Sequence, residues 1–202
     1  MRALATVILA VLDVPVNALA QGTIDFHNPN TFPLKVLDMR DGSVTTLGAP
    51  GSPLGPGSMR VGLFIGTGTS FASLTMVGMT TNSSSTLPLF VGTFNGGNPF
   101  TIAGHPQNEV GSFGFAAWSI STGALTYQAA LTATSGYVSD SVIGQGYVLA
   151  GGATTPAPTF GNPTAAQPWL INRGITFTVP EPSAISLGIA GTTVLCLLRR
   201  RK

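Results

Sequence analysis

The chain has 202 residues, of which only 8% are charged, with 26 glycines, 15 prolines and a formal net charge of +2. Five of the nine cationic residues sit at the two ends; between Gln21 and Pro180, Lys35, Arg40, Arg60 and Arg173 stand against Asp25, Asp38, Asp41, Glu109 and Asp140, a net −1. That balance excludes the electrostatic footprint of a nucleic-acid binder, and a single cysteine, Cys196, excludes an internal disulfide framework.

Met1-Arg2 followed by the apolar residues 3–12 reads as the basic and hydrophobic regions of a signal peptide, with Asp13 at its edge as a departure. Ala18-Leu19-Ala20 supplies the small-x-small pattern of a signal-peptidase site, so a signal helix over residues 1–20 is expected, cut before Gln21. Residues 21–178 are enough for one domain with a core of its own. Their mixture of Gly, Ser, Thr, Asn and Pro with Val, Ile, Phe and Tyr suits short strands joined by tight turns. Residues 23–27 alternate, with Ile24 and Phe26 on one face and Thr23, Asp25 and His27 on the other. Residues 34–37 and 44–47 flank Asp41-Gly42, which predicts a hairpin. A Pro/Gly loop over 49–58 precedes a strand over 59–65 with Val61, Leu63 and Ile65 on one side. Strands are predicted over 74–79, 87–94 and 112–120, with further candidates at 125–133 and 147–150. Residues 95–109 read as a polar Gly/Pro/Asn stretch and 153–168 as a Pro-rich loop, and 169–179 gives the last strand. No stretch of the body keeps a helical apolar period for three turns without Gly or Pro. The expected fold is mainly β: a single β-sandwich, jelly-roll or Ig-like, between an N-terminal signal helix and a C-terminal transmembrane helix.

Residues 179–202 carry the strongest signal. Val179-Pro180-Glu181-Pro182-Ser183 is a stiff, extended acidic turn motif. Residues 184–198 carry no charge, and Arg199, Arg200, Arg201 and Lys202 end the chain. As a helix the apolar run is about 22 Å long, short of a hydrocarbon core of about 30 Å. Long basic stems that snorkel to the headgroups make up the mismatch and hold the C-terminus on the cytoplasmic side. This three-part order closely resembles the PEP-CTERM sorting signal. The resemblance implies a Gram-negative-type host, often one making exopolysaccharide, and processing near the Pro-Glu-Pro by an exosortase, a membrane-embedded cysteine transpeptidase. It implies membrane anchoring before processing and residence in the outer envelope or extracellular matrix afterwards. Such signals are grafted onto many bodies, so the tail speaks to location and not to activity. Residues 60–64 (Arg60-Val61-Gly62-Leu63-Phe64), Ala116-Ala117-Trp118 and residues 123–130 resemble a layout found in PEP-CTERM proteins of verrucomicrobial bacteria. Ala116 stands where those often carry Arg.

No catalytic constellation emerges from the body. His27 and His105 are the only histidines, and no HxxH, CxxC or HExxH spacing is present, so no metal site or cofactor is expected. Asp25 and His27 share a strand face and can pair; His105 suits a turn. A secreted hydrolase would need one of these histidines to meet a carboxylate inside a pocket. Asp38, Asp41 and Ser43 can be drawn as a calcium loop, although an Asp-Gly turn is the commoner use of such residues. Gly62, Gly66 and Gly68 match a dinucleotide fingerprint only in part, with no helix to follow. Asn82-Ser83-Ser84 is a glycosylation-type sequon. Trp118 lies among Phe113, Phe115 and Ile120 and is expected in the core, whereas Trp169 is the expected platform if the body binds carbohydrate such as exopolysaccharide. The expected function is that of a non-enzymatic exported protein.

Overall fold

Two strands with apolar residues on both faces set the centre of the molecule. The computed structural model describes residues 21–39, 41–133, 136–151 and 154–179; the predicted signal peptide and residues 180–202 lie outside them. β4 (Met59–Gly66) pairs antiparallel with β7 (Val110–Ser119), with Val61 opposite Ala117, Leu63 opposite Phe115 and Ile65 opposite Phe113 on the inner face. On the outer face large residues meet small ones: Phe64 lies opposite Gly114, and a Cβ on Gly62 would come within 2.8 Å of the Phe64 ring and 3.1 Å of Trp118. Glycine here makes room for aromatic side chains instead of shaping a phosphate loop.

Around this pair the chain builds a mainly β fold with one large sheet. In chain order the other elements are β1 (Gln21–His27), β2 (Lys35–Asp38), β3 (Val44–Thr46), β5 (Thr75–Thr81), β6 (Asn95–Pro106), α1 (Tyr127–Leu131), β8 (Val138–Val148) and β9 (Thr176–Val179). Seven strands form one sheet in the order β3-β2-β9-β8-β7-β4-β5, and β1 pairs with β6 in a second, two-stranded sheet. Every pairing is antiparallel except β2 with β9. Single bridges join the small sheet to the large one at two seams, Thr23 with Ala150 and Asn82 with Phe94. The two layers enclose an aromatic core, in which Phe115 stacks on Phe26 (centroids 5.9 Å apart) and Phe160 (5.1 Å) and tilts against Phe94 (5.7 Å).

One buried polar residue closes the fold beneath this core. Asn28 donates to the carbonyls of Phe32 (2.9 Å) and Gly92 (3.2 Å) and accepts from the Phe94 N–H (2.6 Å). It satisfies three backbone groups of irregular chain that would otherwise be buried without partners.

The hairpin across Asp41-Gly42 forms as expected, with Gly42 at φ 72° and the Ser43 N–H bonded to Asp41 Oδ1 at 2.8 Å. Other expectations give way. Residues 87–94 are not a strand but a turn ending in extended chain, because Pro88 removes a ladder donor. The polar stretch after it is β6, twelve residues long, whose Gly96 lets the Phe26 ring lie against the backbone. Residues 125–133 hold α1, capped by the Thr126 hydroxyl accepting from the Ala129 N–H at 3.2 Å. Residues 147–150 are the end of the long β8 and its continuation, and only Thr176–Val179 of the last predicted strand is regular.

The three segments of the second resemblance meet on the outer face. Arg60 and Trp118 are cross-strand partners, and both donate to the Ala124 carbonyl. Tyr127 packs on Phe64, Phe71 and Trp118 and donates to the Ser139 carbonyl at 2.9 Å.

One end of the large sheet is where the described chain stops. Val179 is the last residue of β9; its carbonyl accepts from Met39 N–H at 3.0 Å, and Asp38 is its register partner. Phe177 lies opposite Ser139, so Val179 points toward the start of β8. The same end continues through Ser119, bonded to Tyr137, Ile120, bonded to Ser58, and Asn82, bonded to Met59.

Candidate functional site

After β5 the chain leaves the sheet at Asn82 and returns after eleven intervening residues, where Phe94 bridges back to Asn82 ahead of β6 in the smaller sheet. Asn82 anchors the departure: its side chain accepts from the Met59 N–H at 2.8 Å and its own N–H donates to the Met59 carbonyl at 3.0 Å. Ser83 N–H donates to Thr93 O at 2.7 Å and closes the neck of the excursion. Serine hydroxyls then steer the backbone, Ser83 accepting from Ser85 N–H and Ser85 from Leu87 N–H, both at 3.1 Å. The turn that follows, Leu87-Pro88-Leu89-Phe90, is closed by Phe90 N–H to Leu87 O at 2.9 Å and leaves its apolar side chains in solvent.

Between this excursion and the ends of β5 and β6 lies an open groove of about 400 Å³, walled by Thr80, Thr81, Ser83, Ser84, Thr93 and Asn95 with Phe90 at its edge. Among the described residues Phe90 is the one aromatic side chain that remains mostly exposed, at 51%. Hydroxyls and amides without any ionisable group, beside a free ring face, suit a neutral polyhydroxylated ligand and supply no charge to a phosphate or a metal ion. Sequence reasoning missed this site because it took 87–94 for a strand; Pro88 and the run Ser83-Ser84-Ser85 were the available signals.

The two histidines each meet a carboxylate. His27 Nδ1 pairs with Asp25 on β1, and His105 Nδ1 lies 3.0 Å from Glu109 across the β6–β7 turn. Both rings hydrogen-bond these carboxylates, and among the described residues neither ring meets a serine, threonine or cysteine. Asp25 is buried, although alternation put it on the polar face, because the chain through Thr159 covers that side: Thr159 donates to the Asp25 carbonyl at 3.1 Å. Burial pushes the Asp25 carboxyl above its ordinary value of 3.8, and the bond to His27 opposes the shift only in part. Burial also raises the nearby Tyr147 phenol, which donates to Ala157 O at 2.8 Å.

A carboxyl with a raised folded-state value holds its proton more tightly in the folded chain than in the unfolded one. Its contribution to stability is therefore greatest at acid pH, below the unfolded value, and declines as pH rises through the folded value. Asp25→Asn removes this titration and keeps a polar partner for His27. In urea titrations from pH 3 to 7 the variant should gain stability relative to the parent as pH rises. A parent that gains instead would mean that attraction to His27 outweighs the burial of the carboxylate.

The other sequence-predicted residues fall as follows. Asp41 and Ser43 shape the hairpin turn and Asp38 is buried at its base; among the described residues no three metal-ligating side chains converge. Asn82 of the sequon is 2% exposed with its amide engaged inside the fold, so the folded body does not present it for modification. Trp118 is fully buried, as expected. Trp169 is half-buried, packed edge-on against Tyr147 at 5.7 Å and donating to Pro158 O at 3.3 Å, which makes it a poorer platform than Phe90. Gln21 opens β1 and Val179 closes β9. Ala18, Ala20, Pro180, Glu181, Pro182, Ser183 and the basic cluster Arg199, Arg200, Arg201 and Lys202 lie outside the described residues, as does Cys196. Among the described residues no helix is long and apolar enough to cross a membrane. No protein-family model, curated protein or solved structure matches the chain.

Proposed function

We propose that the protein is an exported, non-enzymatic component of the outer envelope or extracellular matrix, processed by an exosortase at a PEP-CTERM signal. The tail carries this reading: a Pro-Glu-Pro motif, fifteen uncharged residues over 184–198 and four terminal cations, in that order. Lipid solvates the apolar run, the cations hold its end on the inner side, and the extended motif is presented outside to the processing enzyme. A signal-peptidase cut before Gln21 and a cut at residues 180–182 both spare every described strand. In the finer form of the proposal the body is a β-sandwich of jelly-roll or Ig-like type, flanked before processing by a signal helix and a transmembrane helix. Intact mass spectrometry of protein recovered outside the cell tests the proposal. The expected mass begins at Gln21 and lacks Arg199 to Lys202; an extracellular product that still carries those four residues sinks it.

A second reading, a carbohydrate-binding body acting on exopolysaccharide, is favoured by the uncharged groove and the exposed Phe90 ring beside it.

A further inference from the structure

We infer that, before processing, the end of the sheet at Val179 rests on the lipid surface through the apolar side chains of the β2–β3 hairpin and the Leu87–Phe90 turn. This rests on the reading of the tail as a membrane anchor. Two observations lead to it.

The first is reach. Val179 is hydrogen-bonded into the fold, and the apolar run begins at residue 184. Five Cα-to-Cα steps span at most about 18 Å. The headgroup zone fills about 5–8 Å of that distance. The opposite end of the sheet lies a strand of ten residues away, roughly 33 Å. A tether this short keeps the Val179 end facing the bilayer and the other end away from it.

The second is where the body leaves apolar side chains uncovered. Met39 and Val44 flank the hairpin tip beside Val179, and Val44 is 59% exposed. Ile120 follows the end of β7 at the same edge. Leu87, Leu89 and Phe90 crown the turn, with Leu89 66% exposed, and Phe90 lies beside Thr81 and Asn82 at the end of β5. The returning chain meets the base of the hairpin through Leu34 N–H to Gly92 O at 2.7 Å. Six large apolar residues thus lie toward this end, against Val110 and Val148 at the far one, with Met79, Leu125 and Leu131 exposed elsewhere. A mostly apolar cleft of about 310 Å³ lined in part by Leu54, Met59, Ile120 and Tyr137 opens in the same region. Apolar tips on a surface tethered to a bilayer insert at the headgroup–acyl boundary.

The test uses the full chain in phosphatidylcholine vesicles, with Cys196→Ser to remove the native thiol and a fluorophore on a single new thiol from Leu89→Cys, Val44→Cys or Val148→Cys. These side chains are exposed, so the fold tolerates each change. Flotation reports anchoring. Quenching by a lipid-borne nitroxide at the headgroup should be at least about fivefold stronger at positions 89 and 44 than at 148, and aqueous iodide should show the reverse order. Vesicles that float with equal quenching at all three positions overturn the inference and leave the anchor reading intact. A full chain that does not float overturns both. Shielding of position 89 from iodide without lipid quenching assigns this end to a protein partner or a second copy and overturns the lipid assignment.

Discussion

Phe115→Ala should destabilise the mature protein by about 3–5 kcal/mol, the range for removing a large aromatic side chain from a close-packed core. Phe115 is fully buried on β7 and touches rings from four places in the chain: Phe26 of β1, Phe94 ahead of β6, Phe113 of its own strand and Phe160 of the long loop. Its ring ties both sheets and the covering loop together, with Phe94 as the neighbour that shares these contacts. Deleting the ring leaves a cavity between two layers whose surrounding side chains are already packed, so relaxation into the gap is limited. The body has no disulfide to offset the loss, because Cys196 lies in the tail. Against a typical total of about 5–15 kcal/mol, the change removes a large share of the stability. Equilibrium urea unfolding followed by tryptophan fluorescence measures it. A loss under about 1 kcal/mol would mean that the two sheets are not held by this cluster.

What the sequence disclosed about the fold tracks how local each signal is. Val61, Leu63 and Ile65 alternate within one strand and the Asp41-Gly42 turn closes within one hairpin, so both are legible from neighbouring residues. β6 and β8 are not, because Asn95–Pro106 and Val138–Val148 are rich in Gly and polar residues and become strands through partners distant in the chain, β1 and β7. Asp25 shows the same limit. Alternation assigns it to the solvent face, and only the loop through Thr159, 134 residues later, buries it. Residues 125–133 mislead for another reason: Leu125 and Leu131 are apolar yet exposed, while the small Ala130 faces the protein, so the helix carries almost no periodic signature. The groove was hidden because its hydroxyls are common residues whose convergence depends on the bridge between Asn82 and Phe94. Its aromatic edge was hidden because Leu87, Leu89 and Phe90 look like a buried strand when Pro88 is overlooked.

Phe90→Ala should lower the affinity of the mature protein for neutral polysaccharide by at least about tenfold, equivalent to about 1.4 kcal/mol. A sugar ring laid on an exposed aromatic face gains about that much beyond simple area burial, and Phe90 is the ring positioned to provide it beside Thr80, Thr81, Ser84 and Asn95. Trp169→Ala should leave affinity nearly unchanged, since one edge of the indole is taken by Tyr147 and its N–H by Pro158. The groove contains no ionisable side chain, so binding should also hold between low and high salt, where an acidic glycan docked on lysines would be released. A glycan array followed by calorimetry on the parent and both variants decides the matter. Loss on Trp169→Ala with none on Phe90→Ala would move the site to the Pro-rich loop, and no binding by the parent would remove the carbohydrate reading while leaving export and processing untouched.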